Sequence, residues 1–252
     1  MIRPLKFFSL FFLFSPLFVH ASIVVDGKLD EDEWQQAQSI DEFLVINPFS
    51  LETPELNTRA LIYSDDSGIY FGFINSQPPE TRDRRSHGRD GLRENHDRNV
   101  VVVDLDNTGN TAYMLGIALG KSVLDFTITN ENQIDGDWDG QWFADTSENE
   151  ENWYSEFFIP WDMAPMNKQD GENRTIGVSV SRMIQHLGIG IGFPGVSFQR
   201  SKFLSVLHNI EVVQANPKSL DFFPYTVASN DFISDESSFD AGTEVIFNTG
   251  EG

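Results

Sequence analysis

The sequence predicts an all-β fold, an antiparallel β-sandwich (jelly-roll-like) of about nine or ten strands. Three observations lead there. Short runs of β-branched and aromatic residues are bounded by Gly, Pro, Asn and Asp, the punctuation of strands. Ile69-Tyr70-Phe71-Gly72-Phe73-Ile74 and Val100-Val101-Val102-Val103 lack polar alternation, as strands covered on both faces do. A helical period is suggested only at residues 31–38, with Asp30 as N-cap for one or two turns.

Residues 1–21 read as an export leader. Arg3 and Lys6 precede an apolar run from Phe7 to Val19, and Val19-His20-Ala21 offers the small residues of a cleavage site. That run is shorter than the ~20 residues a bilayer-spanning helix needs. The mature chain is expected to start at Ser22 and to be exported: periplasmic, outer-membrane-associated or extracellular. Residues 22–214 form the sandwich. Its strands are predicted at 42–46, 58–63, 69–75, 99–105, 112–119, 123–129, 153–159, 175–183 and 206–213. Ser64-Asp65-Asp66-Ser67-Gly68 and Asp106-Asn107-Thr108-Gly109-Asn110 are turn chemistry, so each joins its flanking runs as a hairpin. Residues 215–240, rich in Ser, Asp and Pro, read as a linker. Residues 241–252 read as the start of a truncated, barrel-like C-terminal domain.

The formal charge is −22, and it becomes more negative once Arg3 and Lys6 leave with the leader. Such a surface repels phosphate backbones, which excludes nucleic acid as a partner. It suits neutral ligands or divalent cations. Cysteine is absent, so the fold is not a disulfide scaffold, though a domain of this size needs none for export.

Asp135-Gly136-Asp137-Trp138-Asp139-Gly140 has the alternating carboxylates and the glycine of a calcium loop. Asp135, Asp137 and Asp139 are the expected ligands of a structural Ca2+. Thr146 stands where a bidentate Glu belongs, with Asp145 and Glu148 as substitutes; a solvated acidic turn is the competing reading. Trp34, Trp153 and Trp161 are expected in the core. Trp138 and Trp142 lie among Asp and Gly, where a sugar-stacking face and core packing are both open. The segment 77–98 carries six arginines and reads as a salt-bridged loop, against an anion or metal site built from Asp90, His96 and Asp97. His186 and His208 are expected to be structural. No catalytic motif or distinguishable carboxylate pair is present in the sequence.

Val24-Val25-Asp26-Gly27-Lys28-Leu29-Asp30-Glu31-Asp32-Glu33-Trp34, a strand followed by an Asp-Gly turn and an acidic segment ending in Trp, resembles the opening of carbohydrate-binding module family 9-like domains. Residues 57–74, 97–106, 153–161 (with its Glu156 and Ile159-Pro160) and 175–182 resemble later strands of that family in the same order. The resemblance implies a β-sandwich that binds carbohydrate without catalysis. It also implies a clamp of two tryptophans, whose positions fall near Glu94 and Phe198 here. Phe198 would then supply one stacking face, Trp138 or Trp142 the other, and Glu94 and Arg98 would bind hydroxyls from the rim. Trp138-Asp139-Gly140-Gln141-Trp142 resembles a W-D-x-x-W motif of exported proteins in which this module precedes an outer-membrane β-barrel, and Pro224-Tyr225 with residues 241–247 resembles their transition into it. Two rival implications are an interaction domain of such a barrel that binds no sugar, and a domain with O-glycosyl hydrolase activity.

Overall fold

A computed structural model describes residues 23–86, 88–90, 96–171, 173–214, 219–231 and 236–248. The leader and Glu94 lie outside them. The chain enters through a 3-10 turn, Asp32–Gln36, followed by β1 (Gln38–Ile40), β2 (Leu44–Asn47), β3 (Thr58–Ser64) and β4 (Gly68–Ser76). Then come β5 (Arg98–Asp104), β6 (Thr111–Ala118), β7 (Val123–Thr129), β8 (Gln133–Asp135), β9 (Phe143–Glu148) and β10 (Asn152–Pro160). The remainder are β11 (Asn173–Ile184), β12 (Ile189–Phe193), β13 (His208–Val213), β14 (Ser219–Asp231) and β15 (Glu236–Asn248). One sheet runs β1-β3-β4-β10-β9; the other runs β2-β12-β11-β5-β6-β7-β8, with β13 also pairing β11. All pairings are antiparallel, as expected of the sandwich.

Alternation along the strands builds the core. Ala60, Ile62, Phe71 and Phe73 from one sheet meet Val101, Val103, Leu115, Ile117, Val178 and Val180 from the other, each 2 % exposed or less. Burying each large apolar side chain contributes about 1.5–3 kcal/mol. The two strands without alternation have a second cover. Behind β4, Tyr70 packs with Ile23 and Trp34 of the entry segment. Gly72 makes room there: a Cβ would lie 2.6 Å from Leu29 Cδ2 and 3.1 Å from Trp34 Cη2. Behind β5, Val102 packs with Met114, Phe126, Phe203 and Leu204. Trp34, Trp153 and Trp161 are all buried, as expected.

The structure departs from expectation in four places. Short strands β1, β8, β9 and β12 are added; β12 was hidden because its outward positions are Gly190 and Gly192, while Ile189 and Ile191 face the core. The first turn is capped at Glu31 rather than Asp30, without a side-chain cap. Residues 204–206 are a 3-10 turn and the strand starts at His208. The linker expectation is corrected: β14 pairs with β15 over its whole length, from Ser219↔Asn248 to Asp231↔Glu236. Alternation at Phe223, Tyr225 and Val227 was masked by Ser, Asp and Pro, and Pro224 is tolerated because a two-stranded ribbon is all edge.

Candidate functional site

The outer face of the larger sheet holds a groove of about 280 Å³. Strand parity sets its floor. In β11, Val178, Val180 and Arg182 turn inward, so Ser179, Ser181 and Met183 turn out. In β5, Val101 and Val103 turn inward, so Arg98, Val100 and Val102 turn out. Residues 194–203 fold back over this face and raise a wall at Val196, Phe198 and Gln199.

That wall is held from behind. The Glu131 carboxylate accepts the N–H groups of Phe203 at 2.9 Å and Ser205 at 3.0 Å. These bonds keep its carboxyl below the usual carboxylate range. Asn132 donates to the carbonyls of Phe198 and Arg200 at 3.3 and 3.1 Å. Phe198 stacks on buried Phe203 with centroids 3.9 Å apart and planes 27° apart. Arg98 is half-buried, and desolvation lowers its pKa from the ordinary arginine value. An aromatic wall, a guanidinium and two floor hydroxyls are the mixture that fixes small polar ligands in concave sites.

Of the expected ligand residues, the structure brings Arg98 and Phe198 together. Trp138 and Trp142 are not with them, which corrects the expected second stacking face. Both are partly buried against the core between the sheets. Trp138 packs on Tyr113 at 4.7 Å, and Trp142 stacks on Phe157 at 6.0 Å and 13°. Tyr113 and Asp125 point inward where their neighbours Met114 and Phe126 point to the outer face, so the sheet separates Phe198 from these indoles. Trp142 does line a second cleft, of about 410 Å³, with Arg89, Phe143 and Asp145. Its Nε1–H already donates to Asp125 at 3.1 Å.

The structure does not bring the expected calcium ligands Asp135, Asp137 and Asp139 together. Among the described residues, the carboxylates that converge are Asp90, Asp125 and Asp139, all within 4.8 Å of one another. Asp135 instead accepts the N–H of Asp137 at 3.0 Å, a local turn bond. A guanidinium stands among the converging acids: Arg89 lies 2.7 Å from Asp125, 3.0 Å from Asp139 and 3.7 Å from Asp90. A cation of the protein's own therefore already sits among the three carboxylates, a half-exposed Arg89 reaching down to the wholly buried Asp125.

The arginine-rich segment is the salt-bridged loop expected. Arg82 and Arg84 both reach Glu148, at 3.0 and 2.7 Å, and Arg85 reaches Asp83 at 2.7 Å. Asp90, His96 and Asp97 form no joint site. Asp97 is a structural anchor that accepts Gln77 Nε2, Asp83 N and Gln185 N at 2.8–2.9 Å. Gln77 links it to Arg182 (2.7 Å) and to Trp153 Nε1 (3.0 Å). Sequence reasoning missed Ser179 and Ser181; their alternation with Val178 and Val180 was the available signal.

No family model matches the sequence, and no curated protein matches it. Solved structures do. A carbohydrate-binding module family 9 from Caldicellulosiruptor kristjanssonii in complex with cellotriose is 14 % identical, covering 76 % of this chain and 90 % of its own, with a TM-score of 0.49. The module from that organism in complex with glucose is 14 % identical over 76 % and 91 %, with a TM-score of 0.48. A Bacteroides uniformis ATCC 8492 protein, provisionally assigned to carbohydrate binding, is 12 % identical over 71 % and 87 %, with a TM-score of 0.53. What this chain shares with that protein is the fold, an antiparallel β-sandwich of the kind the family 9-like resemblance implied.

Proposed function

We propose that this chain is an exported, non-catalytic carbohydrate-binding module whose ligand lies in the outer-face groove. The observation that carries this reading is Phe198, braced on Phe203 beside Arg98, Ser179 and Ser181. Sugar C–H groups stack on an aromatic face while hydroxyls exchange hydrogen bonds with serine and arginine. The carbohydrate-binding assignment of the Bacteroides uniformis protein is in keeping with it. With one aromatic platform, affinity is expected at roughly 10⁻⁴–10⁻³ M. A glycan array on the whole chain, followed by titration of the best hit, tests the reading. Phe198→Ala should weaken binding at least about tenfold, and because Phe198 also packs on Phe203 it should lower the melting temperature modestly while circular dichroism shows the fold retained. No binding to any glycan would overturn it.

A second reading, attachment to an outer-membrane barrel, is favoured by β14 and β15. Phe223, Tyr225, Val227, Phe239 and Val245 on this ribbon are each at least half exposed. Deleting residues 219–248 should then abolish membrane association in cell fractionation and leave glycan binding intact.

A further inference from the structure

We infer that the groove selects a sugar bearing an acetyl group, N- or O-linked, with the Ser179 hydroxyl bonding the acetyl carbonyl and the apolar floor beside it taking the methyl. The inference rests on the carbohydrate reading above and narrows its ligand class.

The first observation is a row across the outer face of the larger sheet. Ser179 pairs with Val102, and Val102 pairs with Met114. All three line the groove. Directly paired side chains stand about 4.5–5.5 Å apart at Cβ, so a hydroxyl lies immediately beside a hydrocarbon floor. In the neighbouring row Ser181 pairs with Val100, and both line the groove as well. Each row changes from hydroxyl to hydrocarbon between β11 and β5.

The second observation is the state of the Ser179 side chain. Ser179 is only 5 % exposed and lines the groove, yet its hydroxyl makes no hydrogen bond among the described residues. A buried polar group is nearly always paired, so this hydroxyl is left for a partner that enters the groove. Val102 and Met114 are 3 and 4 % exposed and belong to one packed cluster. The floor is therefore fixed before a ligand arrives, which spares the ligand the cost of ordering it.

Chemistry then sets the ligand. An acetyl group carries a carbonyl acceptor and a methyl on one carbon, which matches the step from hydroxyl to hydrocarbon in the floor. A bare sugar hydroxyl meets Ser179 but brings a polar oxygen onto Val102 and Met114, where its desolvation is uncompensated. A plain hydrocarbon substituent fills the floor and leaves Ser179 unpaired. Phe198 in the wall takes the C–H face of the ring. At about 280 Å³ the groove lies just under the range of ligand pockets, about 300–1,000 Å³, so it takes one substituted ring rather than a long chain.

The test is calorimetric titration of the full chain with two matched pairs and with octanoate. The pairs are triacetylchitotriose against cellotriose, and O-acetylated xylotriose against xylotriose. Within at least one pair the acetylated sugar should bind about ten- to fiftyfold more tightly, the combined effect of one buried methyl and one hydrogen bond. The pair that shows the preference tells N- from O-linkage. Ser179→Ala should cut the preference about two- to tenfold and leave the affinity for the unacetylated sugars unchanged. Val102→Thr, which exchanges a methyl for a hydroxyl at constant shape, should cut it about fourfold. If either variant does not fold, the other carries the test. Equal affinities within both pairs, or a preference untouched by the variants, overturn the inference and leave the carbohydrate reading standing. Octanoate binding as tightly as the acetylated sugars also overturns it, in favour of an acyl-chain site. No binding of any sugar here or on the glycan array overturns both readings.

Discussion

The Glu156 carboxylate, wholly buried in β10, accepts the indole N–H of Trp34 at 3.3 Å across 122 positions of sequence. Its other oxygen accepts the N–H groups of Gly27 at 2.7 Å and Asp26 at 2.9 Å. One side chain thus ties the Asp-Gly turn and the tryptophan of the entry segment to the sheet behind it. Trp34→Ala would empty a buried indole site and leave one oxygen of Glu156 short of a donor. It should cost about 3–5 kcal/mol, read as a lower midpoint in a urea melt.

Stability should depend on pH through the same carboxyl. Burial pushes Glu156 up to about 7 against the two backbone N–H bonds, with Glu31 and Asp26 adding repulsion. The folded chain holds this proton at pH values where the unfolded chain, near 4.5, has released it. Its contribution is therefore full below about 4.5 and is lost as pH rises through about 7, on the order of 3 kcal/mol in all. Glu156→Gln should remove that part of the slope. The difference between the two melting profiles from acid to neutral pH isolates it from general charge repulsion.

Gly27 has φ +81°, and a Cβ there would lie 2.5 Å from the Thr146 carbonyl carbon. Both the backbone and the contact forbid a larger residue. Gly27→Ala should destabilise by at least about 1–3 kcal/mol, and the urea midpoint reports it.

Arg89 pairs with all three acids of a triad that includes buried Asp125. Arg89→Ala should cost about 1–3 kcal/mol, because among the described residues Asp125 then keeps Gly140 N and Trp142 Nε1 as donors to its side chain. Calcium should then restore part of the melting temperature, since three carboxylates are left converging, and should leave the wild type unchanged. Thermal melts with and without calcium decide this.

Arg182 is 1 % exposed, 5.6 Å over the Trp153 ring, and burial pushes its pKa down to about 10. It is held by Thr58, Gln77 and two carbonyls. Arg182→Met would leave those acceptors and nearby Asp97 without their cation. It should cost about 3–5 kcal/mol in a denaturant melt.

Strand existence was readable from local pattern because pleating forces a period of two wherever one face is buried. The runs at 69–74 and 100–103 announced double cover for the same reason, and Trp34, Trp153 and Trp161 announced burial by size. The Ser/Asp/Gly turn between β3 and β4 was equally local. What covered those strands was not readable. Tyr70 meets the entry segment and Val102 meets Phe203 through contacts far apart in the chain. The site divided along the same line. Phe198 and Arg98 were named through the resemblance to family 9-like modules, but which aromatic stood beside them depended on which face of the sheet each neighbour used. Tertiary packing sent Trp138 and Trp142 to the inner side and put Phe203 beneath Phe198. It also replaced a local acidic loop by three carboxylates from separate segments around Arg89. Local sequence determines periodicity, turns and the types of side chain available. The sides of a sheet, and the groups that converge across it, are decided only when distant segments pack.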